Sequence, residues 1–339
     1  MNRRTLPAIF VGFGIFMLIL DSRTAICGAQ NGIELCIYSV IPSLFPFIVL
    51  STILSPMISG GSSRFMRPLG RLLGMPTGSE ALFLTGILGG YPTGALAVHQ
   101  AWQSGQLDKE DAQRMLAFCS NAGPAFLFGI LGSQFPHSWM LWVLWGIHIL
   151  SALIVGMVLP GRSNTNSSFP PQTLPKLTQA VKSGVITMGC ICGWILLFRV
   201  ILAFCDRWFL WLLPQSAQVG FYGLLELANG CCALSSVTSL GARFVMCSGI
   251  LAFGGICVMM QTASVTGKLG LGHYMPGKFL QGTVSILLSY FFQLVCFSPA
   301  ERIENSLLIL PISLIAVVLI TFLAGKRKIR GSIPKLFGV

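Results

Sequence analysis

One carboxylate stands alone inside a long uncharged stretch of the chain. Glu226 is the only charged residue between positions 219 and 240, and Asn229 follows three positions later. A charge at mid-membrane costs at least about 2.5–3.5 kcal/mol and usually faces an interior cavity. Residues three apart share a helix face, so this pair can bind a hydroxylated or basic solute, or couple to a proton or Na⁺. The alternatives are a protonated Glu226 bonded to a neighbour, or one nearer the interface.

A second stretch interrupts what would otherwise be a membrane helix. Residues 89–95 read GGYPTGA inside the uncharged run 81–98, which is about long enough to cross a bilayer. Pro92 lacks an N–H and its ring clashes with the preceding turn, so the helix is expected to unwind. Unpaired backbone groups in hydrocarbon each cost several kcal/mol, so the break must face protein, water or a ligand. Its helix ends offer N–H groups or carbonyls to a solute, and Tyr91 and Thr93 add hydroxyls.

The glycines of this stretch also have a packing interpretation. Gly86, Gly90 and Gly94 recur every four residues, and on an unbroken helix they would let a neighbouring helix approach closely. Pro92 within that face argues against a plain packing stripe. Both interpretations can hold together.

Two further interruptions lie in stretches that begin with Cys-Ser. In CSNAGPAFLFG (119–129), Asn121 is a good N-cap and Pro124 suits the first position of a helix. We therefore expect a broken or re-entrant element, the alternative being an ordinary helix start at the interface. CSGILAFGG (247–255) occupies the corresponding place in the second half of the chain.

These patterns define a set of candidate solute-binding residues and no catalytic ones. The sequence has no G-x-S-x-G, no H-E-x-x-H and no zinc-spaced cysteine pairs, so neither an enzyme, a metal site nor a cofactor is expected. The 11 cysteines lie almost entirely in apolar stretches, as is typical of small packing residues. The candidates are Gly90, Tyr91, Pro92, Thr93, Gly94, Ser120, Asn121, Gly123, Glu226, Asn229 and Ser248.

The composition places the chain in a membrane. Of 339 residues 54% are hydrophobic and 9% are charged, against about a quarter charged in a soluble domain. The mean hydropathy of +0.77 agrees. Apolar stretches recur along the whole chain, so we predict an all-α polytopic membrane protein with about eight to ten membrane segments.

The net charge of +12 is explained without nucleic acid. The basic residues are spread over loops and both ends, and cytoplasmic loops of membrane proteins concentrate Lys and Arg. The densest cluster, KRKIRGSIPK (326–335), is expected in the cytoplasm beside anionic lipid. Arg3 and Arg4 indicate the same side for the other end. We therefore predict a multi-pass protein of the cytoplasmic membrane with a cytoplasmic C-terminus.

The order of features suggests two halves built alike, as two inverted-type repeats with broken or re-entrant helices. In each half an apolar segment precedes two broken segments and a clean span, and paired interruptions of this kind indicate a transporter site between internal repeats. A short surface helix is expected at 107–116 and a loop at 265–278. The predicted units are an N-terminal helix (1–27), a first repeat (28–159), a polar linker (160–177), a second repeat (178–300), a C-terminal helix (301–325) and a basic tail (326–339).

Four motifs together resemble a known family. They are SVIPSLFPF (39–47), GILGGYPTGA (86–95), CSNAGPAFLFG (119–129) and LELANG (225–230). They resemble the sporulation integral membrane protein family, which carries paired nucleoside-recognition (Gate) domains. These domains are similar to parts of concentrative nucleoside transporters and of the ferrous-iron transporter. The resemblance covers roughly residues 20–300 and implies a bacterial cytoplasmic-membrane protein acting in spore formation.

The resemblance also assigns motif positions. The Gate motif's glycines and proline map onto Gly90, Pro92 and Gly94, and its Ser-Asn-x-Gly-Pro maps onto residues 120–124. The second half departs from the family pattern, because CSGILAFGG lacks the Asn and the Pro. Neither the motifs nor the family name identifies the transported molecule.

Two hypotheses of function follow. The first is a secondary transporter or permease for a small polar solute or ion bound between the repeats. The second is a non-transporting membrane scaffold needed for spore cortex or envelope assembly. The expected partners are the lipid bilayer and the solute, with no nucleic acid; a homo-oligomer and other spore-membrane proteins remain open.

Overall fold

The part of the chain that the structure describes consists of helices and their connections. The structure is a computed structural model that describes residues 5–59, 66–159, 161 and 174–302. No strand occurs within those ranges, and the all-α polytopic prediction is confirmed. The α-helices are α1 (Thr5–Leu20), α2 (Ser22–Leu35), α3 (Ile41–Ser59), α4 (Arg67–Leu72), α5 (Glu80–Gly89), α6 (Thr93–Gln103), α7 (Lys109–Cys119), α8 (Pro124–Ile130), α9 (Ser138–Val158), α10 (Leu177–Trp208), α11 (Gln215–Leu225), α12 (Leu227–Ala233), α13 (Leu240–Phe253), α14 (Gly255–Thr266) and α15 (Tyr274–Cys296).

Within the described ranges, five helical stretches are long and apolar enough to cross a membrane. They are Ser22–Leu54, Ser138–Val158, Leu177–Trp208, Leu240–Leu269 and Tyr274–Cys296. The first joins α2 and α3 through a π-helical turn at Cys36–Val40. The predicted eight to ten segments are reached only if the shorter helices also lie in the membrane. Short 3₁₀ turns lie at Gly132–Gln134, Leu210–Leu212, Leu234–Ser236, Gly267–Leu269 and Pro299–Glu301.

Helices α5 and α6 form a hairpin around the GGYPTGA stretch. Helix α5 ends where Gly90 takes a φ of +76°, a conformation that glycine adopts without steric cost. A Cβ added to Gly94 would lie 2.7 Å from the Cα of Gly86 and 2.1 Å from the carbonyl oxygen of Cys119. Residues eight apart in a straight helix are about 12 Å apart, so α6 folds back along α5. The glycines at 86 and 94 therefore serve close packing between the two arms of a broken helix, and not along the unbroken face that the packing interpretation assumes.

Helices α11 and α12 form a second hairpin, with Glu226 at its tip. Glu226 is extended, with φ −144° and ψ 123°, and ends one helix while it caps the next. A Cβ on Gly230 would lie 2.3 Å from the Cα of Gly223. The absence of side chains at these two glycines again lets the two arms touch.

Two other helices are broken without folding back. Helices α7 and α8 are separated by the extended stretch 120–123, and Pro124 occupies the first turn of α8 as predicted. The N-cap of α8 is Gly123 and not Asn121, because the Asn121 amide donates to the Phe118 carbonyl at 2.7 Å. Helices α13 and α14 meet at Gly254, which has a φ of +80°. The second half thus breaks here by glycine, without an Asn or a Pro.

Two boundary predictions are wrong. Residues 107–116 are predicted as a surface helix, but they belong mostly to α7, which is largely buried. The buried Arg114 guanidinium donates to the carbonyls of Leu73, Gly74 and Leu159. Backbone carbonyls thereby satisfy a charge that the sequence placed at the surface. Residues 274–278 begin α15 and do not continue the loop. Most of the linker 160–177, nearly all of the helix 301–325 and the whole tail 326–339 lie outside the described residues.

Long helices α2–α3 and α10 pack antiparallel along one side of the bundle. A Cβ on Gly28 would lie 2.8 Å from Cβ of Ala203, and one on Gly184 would lie 3.0 Å from a methyl of Val49. Residues early in one helix thus meet residues late in the other. This pair forms one wall of the site described next.

Candidate functional site

A narrow cavity lies where the two hairpin tips approach each other. Gly90 and Tyr91 line it from the first hairpin, and Glu226 and Ala228 line it from the second. The break between α7 and α8 contributes Gly123, and side chains of α3, α10 and α14, all apolar except Gln261, close most of the rest. The cavity has a volume of about 40 Å³. One water needs about 10–15 Å³ of such volume, so the cavity accommodates a few waters or a small ion.

The Glu226 carboxylate is held by the first turn of α12. Its Oε1 accepts a hydrogen bond from the Ala228 N–H at 3.0 Å. Its Oε2 accepts from the Asn229 N–H at 2.6 Å and from the Asn229 side-chain amide at 2.7 Å. The side chain is 2% exposed. These bonds orient a buried acid at the cavity wall, and donors on a charged acceptor form the stronger class of hydrogen bond.

Consecutive glycines of the second broken helix lie between the two hairpin tips. A Cβ on Gly254 would lie 3.3 Å from the ring and hydroxyl of Tyr91. A Cβ on Gly255 would lie 3.3 Å from the Glu226 nitrogen. The Tyr91 hydroxyl also donates to the Leu251 carbonyl at 3.4 Å. One helix break therefore contacts both tips, and a shift of either tip must be accommodated there.

A buried lysine lies behind Tyr91, next to the first broken helix. The Lys278 ammonium is 1% exposed and donates to the carbonyl of Ser120, to Asn121 Oδ1 at 3.4 Å and to Gln281 Oε1 at 2.7 Å. It lies 5.1 Å from the centroid of the Tyr91 ring. A cation over an aromatic face is attracted by the ring. The carbonyl that the break in α7–α8 leaves unpaired is thus satisfied by a positive charge from α15.

The same network extends to α9. The Gln281 amide donates to Asn121 Oδ1 at 3.0 Å and to the His148 carbonyl at 3.3 Å. His148 Nε2 accepts from the Ala122 N–H at 3.0 Å, so this nitrogen carries no proton. Side chains from two spans thereby hold the extended stretch 120–123 in place.

The structure distributes the predicted site residues over five environments. Gly90, Tyr91, Gly123 and Glu226 line the cavity, with Asn229 bonded to Glu226. Ser120 and Asn121 contact Lys278. Pro92 and Thr93 line a separate cavity beside α10. Gly94 packs within the first hairpin, and Ser248 bonds Ser285 at 2.7 Å, away from the cavity.

Sequence reasoning missed Lys278, Gln281 and His148. The first two are three residues apart on one helix face, inside a stretch that also contains Gly277 and Gly282. A lysine and a glutamine spaced in this way next to an apolar run are a usable signal. His148 gave none, because a lone histidine in an apolar span has no distinguishing spacing.

Comparisons with known proteins give one informative match. No family model matches the chain, so the Gate domains stay a prediction. No solved structure matches it either. The chain is similar to the "Sporulation integral membrane protein YlbJ" of Bacillus subtilis (strain 168), with 26% identity over 330 residues that cover 82% of this chain and 79% of that protein.

Proposed function

We propose that this protein is a multi-pass transporter of the bacterial cytoplasmic membrane that moves a small polar solute or ion during spore formation. The observation that carries the proposal is the cavity on which two hairpin tips, a helix break and the buried carboxylate of Glu226 converge. Irregular backbone at membrane depth is tolerated where it is buried in protein or lines a cavity. The part of the proposal that concerns spore formation rests on the name of the similar protein in Bacillus subtilis.

The contacts at the two ends of the bundle support an inverted repeat. Near the base of the first hairpin, Arg114 binds carbonyls at residues 73–74 and Gln113 donates to the Leu269 carbonyl at 2.6 Å. Near the base of the second hairpin, Arg243 donates to the Gln134 carbonyl at 2.9 Å. Because the chain runs from one end to the other through the broken helix α7–α8, the two hairpins enter from opposite ends. Inverted repeats of this kind place the solute at mid-membrane.

The basic side chains favour one orientation. Lysines and arginines lie toward both ends of the bundle, and more of them lie toward the base of the first hairpin. Toward that base lie Arg67, Arg71, Lys109, Arg114, Lys176, Lys182 and Lys268. Toward the base of the second hairpin lie Arg23, Arg199, Arg207, Arg243 and Arg302. Because cytoplasmic ends are enriched in Lys and Arg, we infer that the end at the first hairpin's base is cytoplasmic, with α1 starting there.

The chemistry of the cavity favours a solute that is cationic or donates hydrogen bonds. Glu226 supplies a carboxylate, Gln261 an amide, and most of the remaining lining is apolar. A nucleoside is larger than the room available between the closed tips. A solute of that size therefore requires a hairpin to move, whereas a small cation or ammonium compound fits the closed form.

The test is a ligand screen followed by uptake. The purified full chain is screened by thermal shift against nucleosides, amino acids, metal ions, small amines and dipicolinate-like anions, and each hit is tested for uptake into proteoliposomes. We expect a cationic or hydroxylated hit. In Glu226→Gln, the uptake of this solute and the thermal shift that it causes should each fall at least tenfold. Glu34→Gln, a surface acid on α2, is the matched control and should behave as wild type.

The scaffold hypothesis makes the opposite prediction. If the chain is a non-transporting scaffold for cortex or envelope assembly, no solute stabilises it and Glu226→Gln is as active in sporulation as wild type. Uptake that is unchanged in Glu226→Gln would remove the carboxylate from the transport mechanism.

A further inference from the structure

The Lys278 ammonium occupies a cage that has the chemistry of a monovalent cation site. Three oxygens accept its three N–H groups: the Ser120 carbonyl, Asn121 Oδ1 and Gln281 Oε1. The rings of Tyr91 and Tyr274 cover it, with centroids at 5.1 and 5.8 Å. Carbonyls of an unwound membrane helix, together with neighbouring oxygens, are the groups that bind Na⁺ in transporters with broken helices. Here the protein's own side chain fills that place.

The charge has no acidic partner in the part of the chain that the structure describes. No carboxylate lies within ion-pairing distance of Lys278 there. The titratable side chains around it are Tyr91 and Tyr274, whose rings cover it, the Cys119 thiol on α7 and the His148 ring on α9. The ammonium is thus stabilised by neutral oxygens and ring faces alone. It depends on the position of residues 120–121 and of the first hairpin tip.

Beside this cage lie three buried hydroxyls that interact with one another. The Tyr274 hydroxyl pairs with those of Ser120 and Thr262. All three side chains are at most 2% exposed. Each hydroxyl can both donate and accept a hydrogen bond, so the three form a polar route for a proton next to Lys278.

We infer that Lys278 is the resident monovalent cation of this cage and that transport, as proposed above, is coupled to protons carried by Lys278 and not to sodium. When the hairpin tip or the 120–123 stretch moves to admit solute, the ammonium loses its oxygen partners, and an unpaired charge in a membrane is costly. One N–H bond then breaks, its electron pair stays on Nζ, and the proton passes to water that the same movement admits. Return of the oxygens restores the ammonium by uptake of a proton.

The sodium half of the inference can be tested without a solute. The full chain in detergent is unfolded thermally in sodium, potassium and choline chloride at equal ionic strength. Wild type and the surface control Lys268→Ala should unfold at the same temperature in all three salts. In Lys278→Ala the vacated cage keeps its oxygens, so sodium should raise the midpoint above that in choline.

A sodium-specific rise in wild type would overturn the inference, as would the lack of any sodium effect in folded Lys278→Ala. If Lys278→Ala does not fold, the wild-type series still decides whether sodium binds. The flux experiment uses Lys278→Met, which keeps most of the length of the side chain.

The proton half uses proteoliposomes loaded with a pH-sensitive dye and the solute identified in the screen. We expect uptake that is equal in sodium and choline media and that moves protons in wild type. Lys278→Met should exchange solute across the membrane but lose the proton movement. Unaltered proton movement in Lys278→Met would refute the role of Lys278. Absence of uptake under every ionic condition would instead refute transport itself, and the coupling inference with it.

Discussion

At the scale of single residues, the site is built from a few groups whose roles differ from their appearance in the sequence. Glu226 is a buried acid, a helix cap and a cavity wall at once. Gly254 has no side chain, yet it separates α13 from α14 and leaves no room for a Cβ without close contact to the Tyr91 ring. Small residues in this protein set where the backbone can approach an aromatic side chain. Their contribution can be separated from backbone strain by choosing a matched glycine.

Gly254→Ala should destabilise the protein more than Gly105→Ala. Both glycines have positive φ, +80° and +74°, so alanine costs about 1–2 kcal/mol at each from the left-handed conformation. A Cβ on Gly254 would lie 3.3 Å from the Tyr91 ring, whereas nothing lies within 4 Å of a Cβ on Gly105. We expect Gly254→Ala to lose a further ~1 kcal/mol from crowding. Thermal unfolding of the two variants measures the difference, and equal midpoints would show that Tyr91 does not press on this break.

At the scale of elements, the hairpins are held together by glycine contacts between their arms. The closest of these contacts is in the first hairpin, where the Cys119 carbonyl packs directly against Gly86 and Gly94. That carbonyl is the last of α7, so hairpin and broken helix are fixed to each other by backbone contact. Any Cβ at this crossing must push backbone, which cannot rotate away as a flexible side chain would.

Gly94→Ala should therefore destabilise the fold by about 3 kcal/mol, at the upper end of the usual cost of overpacking. Gly146→Ala on α9 is the control, because nothing lies within 4 Å of its Cβ. Alanine in a helix interior gains about 0.5–1 kcal/mol over glycine, so Gly146→Ala should unfold at or above the wild-type temperature. If Gly94→Ala is as stable as wild type, the two arms are not in contact and α5–α6 is not a hairpin.

At the scale of the whole molecule, the opposed hairpins predict which connections share a side of the membrane. Ser104 follows α6 at the base of the first hairpin and Ser235 follows α12 at the base of the second; both are exposed. In an inverted repeat, corresponding elements of the two halves enter from opposite sides of the membrane. The inferred orientation places Ser104 in the cytoplasm.

Ser235→Cys in intact cells should react with a membrane-impermeant maleimide, and Ser104→Cys should react only after the membrane is opened. The background lacks the exposed native cysteines Cys27, Cys190 and Cys296, each replaced by serine. Labelling of both positions from one side would refute the inverted arrangement. The reverse pattern would keep the arrangement and invert the orientation.

The composition and the local breaks were determined by the sequence itself. Few charges over a long apolar chain indicate a polytopic membrane protein, because hydrocarbon excludes charge wherever it occurs. Pro92, Gly90 and Pro124 interrupt helices through their own geometry, which no partner has to supply. Glu226 was recognisable because its neighbours for several residues on each side are uncharged.

Only the tertiary structure decided which breaks meet and which residues are buried between them. Whether α6 continues α5 or folds back depends on the Cys119 carbonyl, 25 positions after Gly94 in the chain. Lys278 looks like a loop residue until the Ser120 and Asn121 oxygens, more than 150 residues earlier, surround it. Local pattern fixes where a backbone can bend, whereas the direction of the bend and the partner of a buried charge are set by long-range packing, which sequence periodicity does not encode.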